Sequence, residues 1–246
     1  MNTFSISEAL AFGWETFKKN VSFLIVLVII MAAANFGVGI VLGLLGDSAP
    51  AVILSNVLTY VVTILVSIGA TKIFIDLVDG KNPSYNDLYR QYPLIVNYFI
   101  AEVIMGLAIL AGLILLIIPG IYLAVKLSFA SYLVVDKKLG PIDALKQSYE
   151  ITKGNWWNIV FLGVVSGLIT LAGALALLVG LFVAIPVTML AYAYAYRKLS
   201  GSIAAAAAPV AAAPITPAPV AAVPEPTQTP EPAPATPTPE STPTTI

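Results

Sequence analysis

Three charged side chains interrupt otherwise apolar runs of this chain: Lys72, Glu102 and Lys126. Ionisable groups in such surroundings are costly, and they mark ion, lipid or ligand contacts unless a partner satisfies them. Depth separates the three. At 1.5 Å per helical residue, Glu102 lies about 25 Å from a turn at Pro119 and Lys126 about 10 Å from it, so the two should not pair directly. Glu102 falls near the cytoplasmic interface, where a neighbouring lysine or water can satisfy it, and Lys72 is close enough to snorkel. Lys126 has two readings: a cation held by carbonyls or a tyrosine, or a contact for an anionic lipid or another ligand.

Other chemistries are excluded by composition. The 246 residues include no histidine and no cysteine. That removes disulfides, thiolate nucleophiles, imidazole or thiolate metal sites and Ser-His hydrolysis. No catalytic residue, metal ligand or cofactor-binding residue is expected, and hence no cofactor. A net charge of −1 gives no electrostatic case for nucleic acid. Hydrophobic residues make up 59% of the chain and charged ones 10%, against about 25% charged in ordinary soluble domains.

The elements that must position those charges are membrane spans. The 43 residues from Gly154 to Tyr196 carry no charge, and about 20 helical residues cross a hydrocarbon core. Breaks at Gly46–Pro50, at Pro119-Gly120 and near Gly180 divide the apolar sequence into six predicted spans: 21–45, 51–75, 95–118, 120–135, 157–179 and 181–197. The run after Lys18-Lys19 is too long for a signal-peptide core and reads as a retained first span. A shift of 135 residues matches Glu8-Ala9-Leu10 to Asp143-Ala144-Leu145 and Trp14-Glu15 to Tyr149-Glu150. A shift of 61 matches Leu110-Ala111-Gly112 to Leu171-Ala172-Gly173.

The expected fold is therefore all-α, a polytopic transmembrane bundle of three hairpins, each led by an interfacial amphipathic helix. Its repeats run about 5–75, 83–136 and 141–198 within a membrane domain of residues 1–199. Ser5-x-x-Glu8 is a capping box, Asn20 suits a helix end, and Pro141 suits a first helical turn. The middle leader, 84–92, is the weakest. Residues 200–246, dense in Ala, Pro and Thr, read as a disordered tail. That tail is either a plain flexible end or a contact for a protein partner. Lysine and arginine gather on the side of both termini, at Lys18, Lys19, Lys81, Arg90, Lys137, Lys138, Lys146, Lys153, Arg197 and Lys198. The positive-inside rule then makes both termini cytoplasmic. Trp156-Trp157 and the series Tyr192, Tyr194, Tyr196 read as interface anchors, and small-xxx-small pairs such as Gly39/Gly43, Ala108/Gly112 and Gly163/Gly167 as close helix contacts.

The run IPGIYLAVKLSFA from Ile118 to Ala130, followed by Leu133-Val134-Val135-Asp136, GPIDALKQS from Gly140 and TKGNWW from Thr152, resembles the membrane domain attached to some glycerophosphoryl diester phosphodiesterases. It also resembles related uncharacterised six-helix prokaryotic membrane proteins. The likeness is best over 118–157 and extends over 5–198. A basic residue commonly stands at the Lys126 position in that family. The resemblance implies the membrane scaffold in a prokaryotic plasma membrane. It does not imply the hydrolase, whose histidines and metal-binding carboxylates lie in a separate soluble domain. The function expected is a non-enzymatic scaffold that binds lipid, anionic lipid included, or protein partners. The alternatives are a small-solute or lipid transporter and an intramembrane enzyme.

Overall fold

The computed structural model describes residues 3–43, 48–176 and 179–201. All regular structure among them is helical. The helices are α1 (Ile6–Lys19), α2 (Val21–Gly43), α3 (Ala49–Val78), α4 (Asp87–Arg90), α5 (Ile95–Leu115), α6 (Ile117–Leu127), α7 (Ala130–Lys137), α8 (Pro141–Ile151), α9 (Trp156–Leu175) and α10 (Leu181–Leu199), with a 3₁₀ turn at Tyr92–Leu94. The expected tail beyond Gly201, the turn at Gly46-Asp47 and the packing of Gly39 and Gly43 lie outside the described residues.

Among the described residues, five segments are long and apolar enough to cross a membrane: Val21–Val38, Ala49–Val78, Asp87–Leu115, Ile117–Lys137 and Trp156–Leu175. Their outer faces are bare hydrocarbon, as at Ile118 (79% exposed) and Leu175 (78%), which is what a lipid solvent permits. The sixth expected span, 181–197, forms one continuous helix, α10, but is not among the five. Its residues face protein. Tyr196, Leu190 and Ala193 are fully buried, and α10 contributes to both large core clusters while packing against α1, α3 and α9. The tyrosine series is therefore not an interface belt. Tyr196 is 0% and Tyr194 7% exposed.

The fourth expected span, 120–135, is broken at Ser128-Phe129 into α6 and α7. A break inside an apolar environment needs partners for the freed backbone groups. Here α8 supplies them. Ser148 Oγ donates to the Lys126 carbonyl (2.9 Å) and accepts from the Phe129 N–H (3.2 Å), while Thr152 Oγ1 donates to the same carbonyl (3.3 Å).

Glycines set the tight places. A single extended residue, Leu116, separates α5 from α6, and a Cβ on Gly112 would stand 2.8 Å from Gly120 Cα. A Cβ on Gly173 would stand 2.9 Å from Gly180, next to the last turn, so both turns lack room for a methyl group. The leader segments pack inward on the bundle: α1 on α10, α4 on α3, and α8 on α5, α6 and α7. Gly13 admits the Val187 carbonyl and Gly69 the Leu88 backbone. Asn20 ends α1 with its amide on the Thr16 carbonyl (3.0 Å), and α8 begins at Pro141 as expected. The capping box at Ser5 is not closed by the serine, whose hydroxyl meets Ser7 Oγ at 2.8 Å instead. The middle leader is reduced to α4 and the 3₁₀ turn.

Candidate functional site

Lys126 stands in the last turn of α6, one residue before that helix ends, and is 4% exposed. The covering element is α8. Its Ser148, with Thr152 just beyond its end, holds the Lys126 carbonyl, which brings Tyr149 over the side chain. The ammonium lies 5.0 Å from the Tyr149 ring centre and 5.6 Å from that of Tyr122, one helical turn earlier on α6. The two tyrosine hydroxyls meet at 3.2 Å. Lys153 Nζ stands 5.6 Å from the same Tyr149 ring and is paired with Glu150 at 2.7 Å. Among the described residues, no carboxylate oxygen lies within 4.0 Å of the Lys126 ammonium and no hydrogen-bond acceptor meets it. A ring face is worth about 0.5–2 kcal/mol to a cation. It leaves the three N–H donors of the ammonium without a hydrogen-bond acceptor among the described residues. The tyrosine expected as a structural partner is present, yet it completes only part of the ammonium's surroundings.

Glu102, on α5, is half-buried and accepts a hydrogen bond from Ser131 Oγ of α7 at 2.6 Å. The lysine expected as a neighbour is not there; among the described residues no basic group lies within 4.0 Å. Glu102 and Lys126 do not meet.

Lys72 is drawn into an ion network instead of snorkelling alone. Its ammonium reaches Asp76 Oδ2 at 2.5 Å, one turn on along α3. Lys81 joins Asp76 (2.9 Å) to Asp79 (3.1 Å), and the Asp76 hydrogen bond is the main cause of a Lys81 pKa above the usual lysine value. Arg197, at the end of α10, closes the chain. Its Nη1 and Nη2 hold the two Asp136 oxygens at 2.6 and 2.9 Å, and Nη2 also reaches Asp79 at 2.7 Å. Tyr196 donates to Asp136 at 2.7 Å. Three cations thus meet three carboxylates where α3, α7 and α10 end.

Asp76 and Asp79 are not singled out by the sequence, and Asp136, Arg197 and Tyr196 enter there only as part of the resembling run, the cytoplasmic charge cluster and the expected interface anchors. Two signals were available: the i,i+4 spacing of Lys72 and Asp76, and the shift of 61 residues, which sets Asp136 against Arg197 with opposite charge. A smaller clasp joins α1 to α10, where Glu8 accepts from Tyr194 Oη and pairs with Lys198 at 3.0 Å while Phe12 stacks on Tyr194. Among the described residues no group of three or more acidic, histidine or cysteine side chains could hold a metal ion.

Helices of this length and apolarity, with leaders packed on the bundle, define a helical membrane protein. Similarity to known proteins adds relatives without a role. Uncharacterized proteins of Mycobacterium bovis and of two strains of Mycobacterium tuberculosis are 28% identical to it over 226 aligned residues, covering 80% of this chain and 69% of theirs. No family model matches the chain. No solved structure matches it either.

Proposed function

We propose that this chain is a non-enzymatic integral membrane protein of the prokaryotic plasma membrane that binds an anionic lipid headgroup at Lys126. One observation carries the reading: a lysine, 4% exposed as a residue, whose ammonium has two tyrosine rings beside it and, among the described residues, no carboxylate within 4.0 Å. Its three donors call for oxygen ligands from outside the chain, and in a bilayer the abundant anionic oxygens are phosphates of headgroups. Purified protein in neutral micelles should gain melting temperature when dioleoyl phosphatidylglycerol is added. Lys126→Met keeps the apolar stem, should fold, and should not respond to that lipid. A mutant that responds as the parent does would overturn the reading.

The scaffold around the site is read as six spans in three hairpins, with both termini cytoplasmic and the sequence beyond Gly201 a contact for a protein partner. Three features support it. Lysine and arginine cluster beside the termini; each leader packs on the second helix of another hairpin; and the turns after α5 and α9 share the same glycine contact. The likeness to the phosphodiesterase membrane domain is carried here as a likeness of scaffold. Ser48→Cys should react with an impermeant thiol reagent from outside the cell and Lys138→Cys should not. The reverse pattern would sink this topology. The transporter alternative draws on a cavity of about 170 Å³ bounded by Ser67, Thr71, Tyr98 and Tyr132. No charged residue lines it, and the lipid reading is preferred.

A further inference from the structure

We propose that the Lys126 site is the headgroup end of a bipartite phospholipid site, and that an acyl chain of the same lipid lies in the groove between α6 and α9. The inference rests on the headgroup reading above. The groove, of about 410 Å³, is walled by Ile121 and Val125 of α6, by Ser128 just past its end, and by Val160, Gly163 and Val164 of α9, with Tyr192 of α10 beside Gly163.

Two features join it to the cation. Tyr122 and Lys126 form one row along α6, and Ile121 and Val125 form the adjacent row, about 100° round the helix. On the other side, Tyr149 and Lys153 end in the short corner from which α9 begins at Trp156. The headgroup end and the groove therefore share α6, and the α8–α9 corner beside Lys126 leads into α9, the groove's other wall.

The groove is also built apolar. Ser128 turns its hydroxyl back to the Val125 carbonyl at 2.9 Å, which leaves the Tyr192 hydroxyl as the other polar group on walls that are otherwise aliphatic. At Gly163 there is no side chain at all, and a Cβ there would already stand 3.2 Å from the Tyr192 hydroxyl. A larger residue would fill the groove from its floor. An occupant with a phosphate at one end and a hydrocarbon chain at the other fits both halves. A free phosphate would leave the groove unused, and a neutral lipid would leave Lys126 unmet.

The experiment compares dioleoyl with dihexanoyl phosphatidylglycerol, which share a headgroup and differ in chain length. Binding to the full chain in neutral micelles is measured for the parent, Lys126→Met and Gly163→Leu. Gly163→Leu should bind the dioleoyl lipid at least tenfold more weakly than the parent and the dihexanoyl lipid within twofold of it. Lys126→Met should lose both. Should Gly163→Leu fail to fold, Ile121→Ala combined with Val164→Ala strips the groove walls, and a fivefold loss confined to the long-chain lipid is expected. Dioleoyl affinity unchanged in the groove variants would overturn the acyl site and leave the headgroup reading standing. Unchanged affinity of Lys126→Met for both lipids would overturn the headgroup reading itself, and the bipartite site with it. A diazirine-bearing acyl chain gives a second readout: its label should concentrate on α6 and α9 in the parent. Label spread evenly over all exposed helices would overturn the proposal.

Discussion

Arg197 and Lys126 are both buried cations near helix ends, and they are treated in opposite ways. Arg197 makes a bidentate pair with Asp136, shares Asp79 with Lys81, and ends a chain of three cations and three carboxylates. Lys126 has two aromatic faces and no carboxylate within 4.0 Å among the described residues. A charge neutralised by its own protein has no need of a ligand. The contrast separates a staple between α3, α7 and α10 from the contact proposed for an anionic headgroup.

The largest expected effect tests the staple. Arg197→Ala leaves Asp136 and Asp79 short of their shared cation, and breaking a buried pair by removing one partner costs about 3–5 kcal/mol. Arg197→Lys should recover only part of that loss, since a point charge cannot reproduce the guanidinium fork. Unfolding in mixed micelles reads both variants beside Lys126→Met, which without anionic lipid should be at least as stable as the parent. If Arg197→Ala unfolds like the parent, the network is decoration and the contrast collapses.

Much of this fold was legible in the sequence because apolar runs of span length have few alternatives. The turn near Gly180 and the start of α8 at Pro141 follow from local spacing, whereas the break expected at Pro119-Gly120 falls earlier, at Leu116, and leaves Pro119 and Gly120 in the first turn of α6. What escaped depends on residues far apart in sequence. Nothing local announces the break at Ser128-Phe129; the hydroxyls that heal it, Ser148 and Thr152, stand about twenty residues further on. Asp79, Asp136 and Arg197 each sit at a helix end, where a charge ordinarily means water, and only their convergence makes a network. The tyrosines 192, 194 and 196 look like a belt in sequence, yet α10 is surrounded by protein, so both Tyr194 and Tyr196 are enclosed. Of the candidate residues, Lys126 keeps its interest, Lys72 acquires the partner Asp76, and Glu102 is met by Ser131.

A middle-sized effect sharpens the line between staple and proposed headgroup contact. Lys72 lies on the network's rim, and its partner Asp76, whose side chain is 11% exposed, also holds Lys81. Lys72→Met should therefore cost about 1–2 kcal/mol, less than a hydrogen bond to a charged group that has no second partner. A double-mutant cycle with Asp76→Asn should return a coupling of at least about 0.5 kcal/mol. Coupling indistinguishable from zero would move Lys72 out of the network and return it to the snorkelling expected from sequence. Lys72→Met should leave the response to dioleoyl phosphatidylglycerol unchanged, which Lys126→Met should not.

The smallest effect concerns the clasp of α1 on α10, where the partners are half in water. Hydrogen bonding from Tyr194, then from Lys198, holds the Glu8 pKa below its ordinary value of 4.5. A carboxylate whose folded pKa is depressed adds stability that is present above the unfolded value and is lost as pH falls through the folded one. The acid window therefore begins at about pH 4.5 and extends below it. Lys198 is raised above 10.5, chiefly by the Glu8 hydrogen bond, so its share is present below that value and lost as pH rises through the folded pKa. With the Glu8 side chain 46% exposed, solvent screening limits the pair to about 0.2–1 kcal/mol. Such a loss would not unfold the bundle, because α1 is also held by Phe12 on Tyr194 and by the Asn158 amide on the Phe4 carbonyl at 2.9 Å. It should loosen α1 locally. Hydrogen exchange of the 6–19 segment, corrected for intrinsic rates, should quicken between pH 6 and pH 3.5 in the parent. Glu8→Gln, already without the charge, should start faster and show a smaller step. Equal steps in the two proteins would mean that the acid response arises elsewhere in the bundle, and that the clasp contributes nothing of its own.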